Sequence, residues 1–385
     1  MVLNDIVRKV ECNFNEILQT ASKMIKIPSR NPPGEEKRCA EYIHSKLKEL
    51  GYETYFVNEP FIDRPQVVAL LKGKSSDTIL LNGHIDTVPE GDANSWIMDP
   101  FSGEIKDGFL YGRGAVDMKS SLSIMMHVAK FVETNGTILL AFAVGEERAE
   151  PGTSTLLSWI KKFNLKIKYG LVMEPTGLQV ATHQRGAVWL KIRIKGRATH
   201  ASTPNEGINA IEIAHNIMYI IQEYKKQITK KSHKFTDTPT CSVTMINAGI
   251  KENVIPDRCE IVLDRRLVPG ETKNEVTKEL RLLFDKKKLN CEITQLGSRK
   301  PVELSNNSVL PRTILDVMDQ MNIQSSTICF TGATDNEHIF SNSIESLVWG
   351  PGDLSFAHSV DERISINDMK NAAIALGLVV NKLLE

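Results

Sequence analysis

Two glutamates, Glu146 and Glu147, stand side by side directly after the apolar run TILLAFAVG (137–145). Upstream, NGHIDTVP (82–89) sets His84 and Asp86 two residues apart, again just past an apolar run. Glu174 follows YGLVM, Asp117 lies in GRGAVDMK ahead of a helical stretch, and His358 sits in the loop after SLVWG. Imidazoles and carboxylates delivered at strand ends make a poor core but good ligands for a divalent cation. A carboxylate left over beside such a cation is a general base for hydrolysis. Taken singly, a strand-end Asp or Glu is usually a cap or turn residue. Their joint occurrence at the ends of several strands is what points to one crevice, because open α/β sheets bind ligands beyond the carboxyl ends of their strands.

Charge balance extends this reading to two ions. His84, Asp117, Glu147, Glu174 and His358 together carry three negative charges, so one divalent ion leaves the site anionic. Two divalent ions with a bridging hydroxide bring it to zero, which suits a dry crevice where unbalanced charge is costly. One carboxylate must then bridge, and Asp117 is the expected one. Oxygen and nitrogen donors suit zinc, with cobalt or manganese as alternatives.

The elements that must position these residues can be read from periodicity. The runs QVVALL, TILLNG, TILLAFAV and YGLVM are too short for helices and are flanked by turn residues, which predicts buried strands. Helical patterns cover 35–50, ending at Gly51, as well as 119–133 and 153–163. This alternation predicts an α/β fold, a mixed and mostly parallel sheet covered by helices on both faces. From AVWLKIRIK (187–195) onward the strands alternate apolar and polar, and the order becomes β-α-β-β-α-β, the split unit of ferredoxin-like domains. The expected organisation is a catalytic domain over 1–183 and 297–385, interrupted by an inserted domain over 184–296.

The bulk properties exclude other classes. Among 385 residues, 47 basic side chains balance 47 acidic ones, so no net field draws the chain to nucleic acid or to a membrane surface. The basic runs at 225–234 and 285–289 read as solvated helix ends. No apolar signal core opens the chain, and no apolar run nears the ~20 residues needed to span a bilayer. Six cysteines without a CxxC pair fit reduced thiols and a cytoplasmic setting. Gly112 and Gly114 are not followed by a GK[ST] signature, so they mark a turn rather than a phosphate loop.

With these motifs in place, the chain resembles the dinuclear-zinc amidohydrolases and peptidases that include succinyl-diaminopimelate desuccinylase, acetylornithine deacetylase, aminoacylase and glutamate carboxypeptidase. The resemblance runs through GHIDTVP, GRGAVDMK, VGEE, MEPTG, RATHASTPNEGINAI, NVIPD, DRRLVPGET, TGATD and GPGDLSFAHSVDE, in that order. It implies that His84 and Glu174 hold one metal, that Glu147 and His358 hold the other, and that Asp117 bridges. It implies that Asp86 orients the His84 imidazole and that Glu146 moves the proton. It further implies that His200, in the inserted domain, stabilises the oxyanion in a partner subunit, hence a homodimer formed through that lid and dimerisation domain.

For the substrate, the resemblance implies that Arg185 and Arg266 bind a carboxylate, with Asn253, Gly332 and Thr334 lining the same pocket. A glutamate at position 174 is what deacylases and carboxypeptidases of this type carry, whereas aminopeptidases tend to carry aspartate. The expected reaction is cleavage of a small N-acyl amino acid, with a carboxypeptidase or dipeptidase acting on a short peptide as the alternative. A catalytically silent metal-binding relative should have lost Glu146 or His200, and both are present.

Overall fold

The computed structural model describes residues 2–236 and 238–385 and divides into two units. The first comprises residues 1–182, 304–330 and 334–385. Its chain opens with helix α1 (Val2–Ile25), whose Ile6, Val10, Ile17, Ala21 and Met24 recur at helical spacing and are buried. This helix formed no part of the expected layout, although its apolar spacing is plain in the sequence. Helix α2 (Lys37–Glu49) and strands β1 (Glu53–Val57), β2 (Gln66–Leu71) and β3 (Asp77–His84) follow. Helix α3 (Ser120–Val128), strand β4 (Thr137–Ala143), helix α4 (Gly152–Ile160) and strands β5 (Lys166–Val172) and β6 (Val180–Gln184) complete the first pass.

The second unit comprises residues 183–303 with 331–333. It runs β7 (Gly186–Lys195), α5 (Ala210–Ile228), β8 (Thr240–Ala248), β9 (Arg258–Leu267), α6 (Lys273–Lys286) and β10 (Cys291–Arg299), the expected β-α-β-β-α-β order. The chain then returns to the first unit through α7 (Val309–Gln320), β11 (Thr327–Phe330), α8 (Asn336–Ser341), β12 (Glu345–Val348) and α9 (Ile366–Leu384).

In the first unit the sheet order is β1-β2-β4-β3-β5-β12-β6, with β11 beside β6. The pairs β3–β4, β3–β5 and β5–β12 are parallel, while β1–β2, β2–β4 and β12–β6 are antiparallel. Alternate residues of the same strands enter two different cores. Ile79, Leu81, Ile138 and Leu140 pack with α1, α3, α7 and α9 on one face, and Leu80, Leu139 and Ala141 pack with α4 and α8 on the other. Burial on both faces is why β4 reads as an unbroken apolar run.

The second unit is a four-stranded antiparallel sheet in the order β8-β9-β7-β10. Strand β9 alternates between buried and partly exposed residues, and Leu190, Ile192, Ile217, Ile221, Leu263, Leu280 and Phe284 form a separate core. Thr272 and Glu275 cap α6 reciprocally. The unit extends beyond the expected 184–296, because β10 passes a bulge between Gln295 and Gly297 and keeps pairing with β7 as far as Arg299 opposite Ala187. The two strands that join the units are themselves paired, His183 opposite Glu303. Among the described residues no helix is long and apolar enough to cross a membrane.

Candidate metal centre

Parallel pairing explains why distant residues meet. His84, the last residue of β3, lies opposite Ala143 on β4, so the turn that begins at Gly145 emerges beside it. Asn82 lies opposite Val172 on β5, which places Glu174 at the same edge. Asp117 arrives from the turn 115–119 that leads into α3, where the Asp117–Met118 peptide is cis. This turn packs closely on β3: a Cβ at Gly83 would meet Leu122 and Met118 side-chain carbons at 2.6 Å. His358 comes from the loop after β12 and has a left-handed backbone, with φ 59°.

These side chains form one cluster around Asp117. His84 Nε2 lies 2.9 Å from Asp117 Oδ1 and 3.5 Å from Glu174 Oε1. His358 Nε2 lies 3.2 Å from Asp117 Oδ2 and 3.1 Å from Glu147 Oε2. Each oxygen of one carboxylate therefore faces a different imidazole, and each imidazole has its own glutamate. Ligand atoms of His84, Glu146 and Glu174 also lie within 4.8 Å of one another, so both adjacent glutamates reach the cluster. His84 Nδ1 donates to the Asp86 backbone carbonyl at 2.8 Å, which orients the ring and turns Nε2 to the centre.

The electrostatics fit a cation site. Burial opposes a charged His84, but Glu174 and Asp117 outweigh it and hold the imidazolium well above its ordinary range. Hydrogen bonds to Asp117 and then Glu147 push His358 up to about 10. Burial, reinforced by the charge of Asp117, pushes Glu174 up to about 7 and also raises Glu147. Three buried carboxylates thus crowd two imidazoles, and protons stand in for positive charge. Two imidazoles and three carboxylates are a suitable donor set for two ions such as zinc, cobalt or manganese.

The carboxylate of Asp86 differs from expectation. Its nearest oxygen is 3.7 Å from His84 Nδ1, and the contact with the ring is made by the backbone instead. The carboxylate accepts from the backbone N–H groups of Gly145 (3.0 Å), Glu146 (3.2 Å) and Glu147 (3.2 Å). It therefore holds the turn that carries the two glutamates. Glu362, to which sequence reasoning gave no role, does the same for the other loop. It accepts from the N–H groups of Val116 (2.9 Å) and Asp117 (3.1 Å), and Arg113 Nη1 donates to it at 2.6 Å. Burial pushes this carboxyl up to about 7 against the pull of Arg113. Its only sequence signal was an acidic residue four positions after His358.

The remaining expected residues lie largely in the second unit. His200 and Val254 are opposite each other in a two-residue ladder, which brings His200 beside Asn253. His200 Nδ1 accepts from Ser202 N–H at 3.2 Å, so its proton resides on Nε2. Arg185 Nε donates to the Thr236 carbonyl at 3.1 Å. Arg266 is already engaged: Nε and Nη2 donate to the two oxygens of Asp264 at 2.8 and 2.9 Å. Gly332 and Thr334 lie in the loop between β11 and α8, and Thr334 is buried, accepting from Asn336 N–H at 3.2 Å.

Comparison with known proteins bears on this cluster. The model of peptidase family M20/M25/M40 matches residues 80–382. A putative [LysW]-lysine/[LysW]-ornithine hydrolase from Pyrobaculum aerophilum is 30% identical over 92% of this chain and 94% of its own length. A succinyl-diaminopimelate desuccinylase from Thioalkalivibrio sulfidiphilus is 24% identical over 92% of this chain and 96% of its own length. An M20 family metallo-carboxypeptidase from Sulfolobus solfataricus shares the fold, with a TM-score of 0.82 and 21% identity over 95% of this chain and 98% of that one.

Proposed function

Because this chain belongs to peptidase family M20/M25/M40, we propose that it hydrolyses the amide bond of an N-acyl amino acid, in the manner of a desuccinylase or deacetylase. It is a metal-dependent hydrolase of amide bonds, like the relatives it matches. The observation that carries the finer reading is the arrangement about Asp117, with His84 at one oxygen and His358 at the other, Glu174 against His84, Glu147 against His358, and Glu146 within reach of His84 and Glu174. In this reading His84 and Glu174 would hold one divalent ion and Glu147 and His358 a second, with Asp117 contributing to both. Such ions lower the pKa of a water and polarise the scissile carbonyl.

The protein's own groups do the rest. Glu146 takes the proton of the attacking water and passes it to the leaving nitrogen. Asp86 keeps Glu146 aimed by gripping the turn beneath it. His200, protonated on Nε2, donates to the oxyanion, acting across a homodimer built through the second unit. Arg185 and Arg266 receive the substrate carboxylate, Arg266 through Nη1, the guanidinium nitrogen that Asp264 leaves out. Asn253, Gly332 and Thr334 line the same pocket.

A panel of N-succinyl-, N-acetyl- and peptidyl-amino acids with zinc, cobalt and manganese tests this. The expected result is turnover of at least one N-acyl amino acid in preference to unblocked dipeptides. Preference for the dipeptides replaces the deacylase reading by the peptidase one.

A further inference from the structure

Behind the glutamate turn, Asp86 belongs to a largely buried polar chain whose other members, Asn31, Glu150, Arg64 and Glu36, the mechanism above does not use. Residues 29–31 run alongside the segment that leaves β3: Asn31 N–H donates to the Thr87 carbonyl at 2.8 Å and Thr87 N–H to the Ser29 carbonyl at 2.9 Å. This places the Asn31 side chain, 1% exposed, between two carboxylates. Its Nδ2 donates to Asp86 Oδ2 at 3.0 Å and to Glu150 Oε2 at 3.2 Å. Glu150 ends the same turn that Asp86 grips, since its N–H donates to the Gly145 carbonyl at 2.8 Å. Arg64 Nη2 also donates to Glu150 Oε2, at 2.7 Å. Arg64 is itself held by the fully buried Glu36 through Nε at 2.8 Å and Nη2 at 2.5 Å.

One amide therefore joins the carboxylate that takes three N–H groups of the turn to the carboxylate at the turn's far end. That shared amide offsets the repulsion between the fully buried Asp86 carboxylate and the partly buried Glu150 carboxylate. We propose that Asn31, backed by Arg64, is a positioning residue for hydrolysis: its amide ties the Asp86 and Glu150 carboxylates together and so keeps Glu146 and Glu147 aimed in their two different directions. This rests on the proposed roles of those glutamates. Neither Asn31 nor Arg64 is one of the residues proposed above to hold metal or substrate.

The decisive variant is Asn31→Asp, which keeps the shape and replaces the donor by a third carboxylate. With full metal loading, kcat is expected to fall tenfold to a hundredfold with KM within threefold, and zinc affinity by isothermal titration to weaken about tenfold, the usual scale for partners that orient ligands. Adding Glu150→Gln returns a donor to the contact and should recover most of the lost kcat. A merely structural role would lower the melting temperature alone, with kcat per loaded site intact and no recovery in the double variant; that outcome overturns the proposal. Should Asn31→Asp not fold, Arg64→Lys replaces it, with a loss of about fivefold in kcat expected and an unchanged kcat overturning the idea. If the wild-type chain turns over nothing in the substrate panel, the functional reading fails by itself. The zinc titration then decides alone, and equal affinity in Asn31→Asp and wild type overturns the positioning role.

Discussion

The two units solve the same folding problem with different materials. In the first, strands are apolar on both faces, and buried polar groups gather at the strand ends, where Asp86, Asp117, Glu174 and Glu362 are all under 10% exposed. In the second, strands alternate and one face of a single sheet is covered by two helices. Charge divides along the same line. Residues 183–303 hold 22 Lys and Arg against 14 Asp and Glu, a surplus of eight positive charges, and since the whole chain balances at 47 each, the first unit carries eight negative charges net. Zero net charge therefore describes neither unit. The lesson is that burying charge at the first unit's strand ends needs opposite charge and backbone N–H donors on site, whereas the second unit's core is built by apolar packing and most of its charge stays on the surface.

The strongest way to break this contrast is Glu146→Gln. It removes the proposed base while leaving every other group of the cluster. We expect kcat to drop about a thousandfold, the range for a general base, with metal content by atomic absorption unchanged. Activity within tenfold of wild type would remove Glu146 from its role. The second unit also has a buried charge to test. Arg265 is fully buried, donating to Glu271 at 2.6 Å and to the Tyr224 hydroxyl at 3.3 Å. Arg265→Ala takes away the buried partner of Glu271, leaving it Lys231 at 3.4 Å and the Val268 N–H, and should cost about 3 kcal/mol by denaturant unfolding, without loss of bound metal. Metal loss in this variant would mean that the two units are not energetically separate.

A pH lever belongs to the first unit. His127, on α3, faces α1 with Thr20 Oγ1 3.0 Å from Nε2, and burial holds its pKa down at about 4 against an ordinary 6.5. The unfolded chain therefore binds the proton more readily between those values. Stability is complete above pH 6.5 and falls as pH drops towards 4, by about 3 kcal/mol at most. His127→Gln should flatten that part of the stability curve, and an unchanged slope would discharge the residue. The smallest effect sharpens the substrate reading: Arg185→Lys should raise KM about tenfold for a substrate with a free carboxylate and leave kcat within twofold.

Much of the fold and of the metal cluster is legible in the amino-acid sequence. Strand ends, the change of period near residue 187, and the cluster residues from His84 to His358 all rest on local pattern or on motifs contiguous in the chain. The features that escape such reading have partners far away in sequence. The Asp86 carboxylate was expected on the imidazole two residues away, whereas its hydrogen bonds go to N–H groups 59 to 61 residues on. Asn31 meets Glu150 across 119 residues, and Glu362 meets Val116 across 246. The insert was expected to end at 296, whereas β10 pairs with β7 past a bulge as far as Arg299 and the compact unit runs to Glu303, a feature of pairing rather than of composition.

By itself the sequence determined the kinds of residue at the strand ends, the two hydrophobic periods and hence the two classes of sheet. These follow from local chemistry, because side-chain alternation and turn residues act over a few positions. Only the tertiary structure decided which carboxylates face the imidazoles and which grip the backbone beneath them. A carboxylate is the same acceptor in either place, and the donors within hydrogen-bond reach of it are chosen by how parallel strands align their ends.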